Sequence, residues 1–222
     1  MRKVRIKAYL IDFIVLFLVL TLINLLIPKT EYLNTLEMEQ NAIMEDYMSG
    51  RINFSNYVNN YGALYYESAI EQQSNYLIYL LFMIIYFVII PFFWKGRTLG
   101  CYICKVQIER FDQGRLYMWQ LLVRYSVVFG IGYVFLNNVL LILLPSKWYF
   151  TLISMIAIFQ FVLALFSAGT VLIHSEKRGL HELISNTEIT KIINSSKRSD
   201  DLCPQKRKNK SRKKKKKGIA NS

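Results

Sequence analysis

The sequence predicts an all-α membrane protein with four transmembrane helices. Hydrophobic residues make up 53% of the 222 residues and gather into four long runs without any Lys, Arg, Asp or Glu. These uncharged runs are residues 13–28, 72–94, 125–146 and 148–175. An apolar run of about 18 residues or more is typical of a helix that spans a bilayer. The composition therefore argues against a soluble enzyme and against a small secreted domain built on disulfides.

The placement of the basic residues predicts that both termini lie in the cytoplasm. Among 28 Lys and Arg, four lie in residues 1–7, five in 95–115 and 15 in 174–222, and the net charge is +13. Segments rich in Lys and Arg stay on the cytoplasmic side of a membrane. Four spans put all three segments there, whereas residues 29–74, with seven acidic and two basic side chains, face outward.

The first predicted span covers residues 8–27 and ends at Pro28. At about 1.5 Å per residue its length matches the hydrocarbon core of a bilayer. Residues 29–74 are too polar to cross, but apolar side chains recur in them at helical spacing, in two sets separated by Ser49 and Gly50. We expect two short amphipathic helices that form an outer cap; a loop without regular structure is the alternative.

The remaining spans follow in order. Residues 76–94 form the second, and residues 95–119 return on the cytoplasmic side with a short interfacial helix. Residues 119–144 and 148–173 form the third and fourth spans. Residues 145–147 leave room only for a tight turn, so these two helices are expected to be antiparallel neighbours.

The C-terminal tail is set apart by its composition. Residues 1–193 are expected to form the transmembrane domain and residues 194–222 a disordered basic tail, with five consecutive lysines at 213–217. Held at the inner leaflet, the tail is expected to bind anionic lipid head groups, at about 1 kcal/mol per basic residue. RNA is a weaker alternative partner. A topology signal without a ligand is the third possibility.

Two charged residues are predicted inside the membrane. Asp12 lies four residues into the first span, and Arg124 lies five residues into the third, which enters from the same side. An ionised side chain in lipid is energetically costly, so both should face the interior of the bundle. We expect an Asp12–Arg124 ion pair, with Arg5 on the same face reaching towards Asp12. Either the pair fixes the helix register, or Asp12 binds a cation or relays a proton.

The other motifs predict no catalytic residues, no metal and no cofactor. Cys101 and Cys104 form a C-x-x-C pair, but neither a second pair nor a histidine cluster accompanies them. Residues 96–100 are glycine-rich but lack the Lys-Ser or Lys-Thr of a phosphate-binding loop. No Ser-His-Asp set and no pair of carboxylates stands out, so an enzyme is not predicted.

Three short motifs match a known family. Residues 5–12 read Arg-Ile-Lys-Ala-Tyr-Leu-Ile-Asp, residues 96–100 read Gly-Arg-Thr-Leu-Gly, and residues 179–187 read Gly-Leu-His-Glu-Leu-Ile-Ser-Asn-Thr. In this order, with Arg124 between the last two, they resemble the RDD family of small bacterial inner-membrane proteins, which is named for one arginine and two aspartates. The motif residues of the second and third segments are Gly96, Thr98, Gly100, Gly179 and Thr187.

The resemblance covers residues 5–192 and implies a multi-pass protein of the bacterial cytoplasmic membrane. Cys101 stands where the family usually has Lys, and Glu182 where it usually has Asp. Transport is the usual suggestion for the family, and exchange of a small cation for protons has been proposed for some members. The resemblance therefore makes transport, by exchange of a small cation for protons, the leading hypothesis for this chain.

On that hypothesis, Asp12 is the protonatable site, Arg124 adjusts its proton affinity, and His181 and Glu182 lie at the cytoplasmic mouth. Four helices make a thin conduit, so a transporter of this size is expected to work as a homo-oligomer. The alternative is a non-catalytic scaffold or accessory subunit that recruits partners through its outer loop and basic tail. An enzyme acting on lipid is a third hypothesis, weakened by the lack of a recognisable nucleophile.

Overall fold

The computed structural model describes residues 2–112, 114–173 and 179–192, and these are mostly helical. Residues up to Thr190 form one compact unit. The predicted basic tail, residues 194–222, lies outside the described residues. The elements, in chain order, are α1 (Arg2–Leu26), α2 (Glu31–Met48), α3 (Phe54–Glu71), α4 (Gln73–Ile84), α5 (Ile90–Phe93), α6 (Leu99–Ile103), β1 (Val106–Arg110), α7 (Met118–Phe129), α8 (Ile131–Leu143), α9 (Ser146–Ile173), α10 (Leu180–Ile184) and β2 (Thr187–Lys191).

Three helical stretches in the described part of the chain are long and apolar enough to cross a membrane. They are Lys3–Leu26, Gln73–Phe93 and Ser146–Val171. The predicted third span, residues 119–144, is not one straight helix but two helices, α7 and α8, bent by 86°. Gly130 causes the break, because its φ of +75° is a left-handed conformation that ends an α-helix. A fourth crossing exists if this bent pair counts as one span.

A π-helical turn interrupts the second span. It covers Ile85–Ile89, between α4 and α5, and precedes Pro91, which has no N–H for a regular helical ladder. The turn buries the side chains of Tyr86 and Phe87. Phe87 stacks on Phe129 with ring centroids 4.3 Å apart. Such π turns occur often at functional sites, and this one directs Tyr86 into the bundle.

The polar segment between the first two spans folds into the helices α2 and α3. Each begins with a side-chain cap: the Thr30 hydroxyl accepts from the N–H of Leu33, and Asn53 accepts from the N–H of Asn56. The two helices pack together, and α3 also packs against α9. The spacing of apolar residues therefore located this helical pair correctly.

A two-stranded sheet of β1 and β2 adds to the helical fold that the sequence predicts. In β1 the side chains of Val106 and Ile108 are buried, and in β2 those of Thr187 and Ile189 are buried. This alternation is the period of a strand with one buried face. Each strand has only five residues, so its signal in the sequence is weak.

Candidate functional site

Four charged side chains are buried inside the bundle, one of them between α1 and α6 and three where α1, α7 and α10 meet. The exposed fractions are 7% for Arg5, 1% for Asp12, 0% for Arg124 and 1% for Glu182. A buried charge is strongly unfavourable unless it is paired or hydrogen-bonded. The contacts of these four residues therefore define the candidate site.

In the described part of the chain, the carboxylate of Asp12 is held by neutral donors alone, and these residues together form the Asp12 site. One oxygen, Oδ1, accepts from the hydroxyl of Tyr86 at 2.8 Å and from the N–H of Gly100 at 2.9 Å. The other, Oδ2, accepts from the hydroxyl of Thr98 at 2.7 Å. Thr98 also caps α6 by accepting from the N–H of Cys101. The Asp12 site thus joins α1, the π turn and α6.

Two motif glycines allow this site to close. A Cβ on Gly100 would lie 2.2 Å from the carbonyl oxygen of Ala8 and 2.8 Å from Oδ1 of Asp12, so only glycine lets α6 approach α1. Gly96 has a φ of +76°, and a Cβ there would lie 1.9 Å from the carbonyl oxygen of Ile108. The glycines of residues 96–100 therefore serve close backbone packing rather than phosphate binding.

Glu182 lies between two arginines. Its Oε1 accepts from Nη2 of Arg124 at 3.2 Å, and its Oε2 accepts from Nη1 of Arg5 at 3.1 Å. Oε2 also accepts from the N–H of Gly179, which precedes α10. One carboxylate thereby ties α10 to both α1 and α7. We call Arg5, Arg124, Glu182 and the groups bound to them the Glu182 cluster.

Further hydrogen bonds complete the surroundings of the two guanidinium groups. Arg124 donates from Nη1 to the hydroxyl of Thr187 at 2.7 Å and from Nη2 to the hydroxyl of Tyr9. Its guanidinium also lies over the ring of Tyr9, 5.8 Å from the centroid. Arg5 donates from Nη2 to the carbonyl oxygen of Ile189 in β2 at 2.8 Å. The small sheet is therefore part of the site.

His181 joins the Glu182 cluster to the last long helix. Its Nε2 lies 2.7 Å from the Tyr9 hydroxyl, and its Nδ1 lies 2.5 Å from the Ser167 hydroxyl of α9. Burial lowers the pKa of His181 well below its usual value, and the nearby Arg124 and Arg5 lower it further. The imidazole is therefore neutral. A continuous chain of hydrogen bonds runs from Ser167 through His181 and Tyr9 to Arg124.

The neutral state of His181 predicts a loss of stability in acid. The unfolded chain has an ordinary histidine pKa, so below about pH 6.5 it takes up a proton that the folded chain excludes. As the pH is lowered below about 6.5, the free energy of unfolding should decrease by up to about 1.4 kcal/mol per pH unit, until the lowered pKa of His181 is reached. Thermal unfolding in detergent between about pH 7 and 5 measures this.

The second histidine of the chain provides the control. His181→Gln should remove the acid-dependent loss in this range, whereas His174→Gln should keep it. Equal slopes for the two variants would contradict a neutral, buried His181.

The expected Asp12–Arg124 ion pair is wrong. Within the described residues Arg124 is paired with Glu182, and the Asp12 oxygens are filled by the three neutral donors. Arg5 also reaches Glu182 instead of Asp12. Helix positions indicated correctly that these side chains turn inward. The loop of residues 95–104 and the segment containing α10 supply the actual partners, and helix positions alone do not place such segments.

The motif residues separate into two groups in the structure. Asp12, Thr98 and Gly100 meet in the Asp12 site, and Gly96 supports them. The other group, in the Glu182 cluster, consists of Arg5, Arg124, Gly179, His181, Glu182 and Thr187.

Three hydroxyl-bearing residues of the site were not predicted from the sequence: Tyr9, Tyr86 and Ser167. One signal was present, because a tyrosine within a transmembrane run needs a partner for its hydroxyl. Tyr9 also lies between Arg5 and Asp12, four residues after the first and three before the second, which is one helical face.

The cysteines and acidic groups of the described residues form no metal site. Cys101 is buried and Cys104 half-buried, and both are free thiols. Burial raises the pKa of Cys101, so its thiol is protonated and unreactive. No group of three or more His, Cys, Asp or Glu side chains in the described part of the chain is arranged to hold a metal ion.

Comparison with known proteins identifies the family. The model of the RDD family matches residues 3–186 of the 222. No curated protein and no solved structure matches the chain at a significant level. The family match includes Arg5, Asp12, Arg124 and Glu182, which form the core of the site described above. The chain is therefore a membrane protein that belongs to the RDD family.

Proposed function

We propose that this protein is a transporter that exchanges a small cation for protons, with Asp12 as the exchange site. The supporting observation is that Asp12 is 1% exposed and that, among the residues that the structure describes, only neutral donors bind its carboxylate. Burial opposes the charge of a carboxylate and hydrogen bonds from neutral donors favour it, so a carboxylate without a cationic partner is suited to bind a proton or a cation in turn. Within a transmembrane segment, such a residue is typical of an ion or proton pathway.

The groups around Asp12 suit both bound states. A hydroxyl has one hydrogen to donate and two lone pairs to accept with, so Tyr86 and Thr98 change roles by rotation. In the structure both hydroxyl groups face the carboxylate of Asp12 and donate a hydrogen bond to it. Turned towards a cation, their oxygens join those of Asp12 as ligands. With a single carboxylate, the site favours a monovalent cation.

Two breaks in the helices support a transport role. Tyr86 of the Asp12 site lies on the π turn, and the bend at Gly130 separates α7 from α8. Interrupted helices are typical of transporters, where freed backbone groups need new partners. Gln160 of α9 is such a partner, since it donates to the carbonyl oxygen of Val127 at 3.1 Å.

The proposal includes four spans with both termini in the cytoplasm, with the bent pair α7–α8 as the third span. Contacts support a common side for the basic segments: Arg5 reaches Ile189, and Ala8 lies against Gly100. The start of α1, residues 96–110 and residues 179–190 thus lie at one end of the bundle, which the positive-inside rule assigns to the cytoplasm. The bacterial cytoplasmic membrane, a homo-oligomer and anionic lipid around the basic tail complete the proposal.

Ion flux in proteoliposomes tests the exchange. Addition of Na⁺ or K⁺ outside vesicles with an acidic interior should release protons, measured with a pH-sensitive dye. Asp12→Asn keeps an acceptor for the neighbouring donors but loses the charge, so its flux should drop at least about tenfold. Glu37→Gln, at an exposed position, is the control and should keep the flux of the original chain.

Two results would overturn the exchange proposal. One is an Asp12→Asn flux equal to that of the original chain. The other is a failure of Na⁺, K⁺ and Li⁺ alike to release protons from vesicles that contain folded protein.

A scaffold or accessory subunit is the second candidate. It is favoured by apolar side chains exposed on the outer helices α2 and α3: Tyr32 is 53%, Met38 64%, Met48 79% and Phe54 66% exposed. Exposed apolar patches mark interaction surfaces. Crosslinking in membranes, followed by identification of a stoichiometric partner that is lost in Met48→Ser, would support this role.

A further inference from the structure

An apolar groove opens between α1, α7 and α9, away from the Asp12 site. Its volume is about 590 Å³, within the range of ligand pockets in general. Leu10 and Phe13 of α1 line one side, and the small residues Ala164 and Ala168 of α9 line the other. Because Ala164 and Ala168 have small side chains, an open trough remains beside the larger side chains of Leu10 and Phe13.

The lining of the groove is apolar apart from Tyr9, Ser167 and His181. Along α1 and α9 these polar residues are flanked by Ile6 and Val171 in one direction and by Leu16 and Ala164 in the other. The lining residues of α1 run from Ile6 to Leu16, a length of about 15 Å along the helix. The groove therefore runs from the level of α10 to about halfway along the span, with apolar side chains in both directions from its polar groups.

This apolar lining matches a lipid chain. Both α1 and α9 are long and apolar enough to cross a membrane, so only lipid or another protein reaches this face. We propose that the groove binds one acyl chain of a membrane phospholipid, with its head group at the α10 end. A chain filling the groove gains contacts that an empty trough lacks. An acyl chain fits because the lining is apolar apart from Tyr9, Ser167 and His181, whose polar groups are already hydrogen-bonded to one another.

Occupancy of the groove bears on the Glu182 cluster. Tyr9 and His181 line the groove and also belong to the hydrogen-bond chain that ends at Arg124. A bound acyl chain packs against both rings and so stabilises their contact. The lipid site itself does not depend on the proposed transport, because lipid retention is measured without any ion gradient.

Filling the groove from the protein side tests the proposal. Ala168→Phe places a ring in the trough, and Leu165→Phe adds a ring on the same helix at an exposed residue that does not line the groove. Each variant is loaded with dioleoyl phosphatidylglycerol, diluted into detergent and weighed by native mass spectrometry. The original chain and Leu165→Phe should each retain a phospholipid, and Ala168→Phe should retain at least about tenfold less.

A smaller substitution at the same position controls for misfolding of Ala168→Phe. Ala168→Leu fills less of the trough and should give an intermediate retention, with thermal unfolding as the check of fold. Equal retention by all four proteins would overturn the proposal. So would a disulfide between two copies of the chain through Phe13→Cys in native membranes, because it would mean that a second copy fills the groove.

Discussion

Replacement of Glu182 by Gln is expected to lower the free energy of unfolding by about 3–5 kcal/mol. The carboxylate accepts from both Arg124 and Arg5, and all three side chains are buried. Gln keeps the size of the side chain but removes its charge, so both guanidinium groups lose the carboxylate that they share. Breaking a buried ion pair in this way is far more destabilising than losing an exposed one.

Titration with a denaturing detergent, followed by circular dichroism, measures the effect of Glu182→Gln. Glu37→Gln is the matched control, because it removes one carboxylate from the exposed pair with Lys29 and should cost less than about 1 kcal/mol. Glu182→Asp keeps the charge on a shorter arm and should recover most of the lost stability. A Glu182→Gln variant as stable as Glu37→Gln would contradict the role assigned to the Glu182 cluster.

Substitution of Gly100 by Ala is expected to destabilise the protein by about 3 kcal/mol. The added Cβ would meet the backbone oxygen of Ala8 at 2.2 Å, and backbone does not yield as the end of a flexible side chain does. This clash with Ala8 is relieved only if α6 moves away from α1. That movement separates Asp12 from the N–H of Gly100 and from the hydroxyl of Thr98.

Gly169→Ala is the matched control for Gly100→Ala. A Cβ at Gly169, within α9, meets nothing within 4 Å, so this variant should be as stable as the original chain or gain about 0.5–1 kcal/mol from helix propensity. Thermal unfolding and protease cleavage in residues 95–105 measure both variants. Equal unfolding temperatures for the two would show that the close approach at Gly100 is not required.

The long helices could be predicted from the sequence because their signals are local. An uncharged run long enough to span a bilayer is visible without knowledge of any partner, and this located α1 and α9 closely. The break at Gly130 was missed, since glycine is common in transmembrane helices and its left-handed conformation depends on packing. The Gln160 side chain that occupies this break comes from another helix.

For the candidate site, the burial of charged residues could be predicted from the sequence, but their pairing and the hydroxyl groups around them could not. Burial of Asp12 and Arg124 follows from the high energy of a charge in lipid, which is a property of each residue alone. Their partners depend on how short segments fold back against the helices. Five-residue elements such as α6 and α10 have almost no periodic signal. Only the three-dimensional structure shows that Asp12 binds Thr98 and that Arg124 binds Glu182.

The pairing of Arg5 with Glu182 has a consequence for biosynthesis. The two residues are 177 positions apart, so the first span leaves the ribosome long before its anionic partner is made. Until then the nascent chain carries Arg5, and later Arg124, without the carboxylate that neutralises them in the finished protein. A chain that stops short of Glu182 therefore lacks the carboxylate that binds both guanidinium groups, so the ends of α1 and α7 can be joined in this way only after residue 182 has been made.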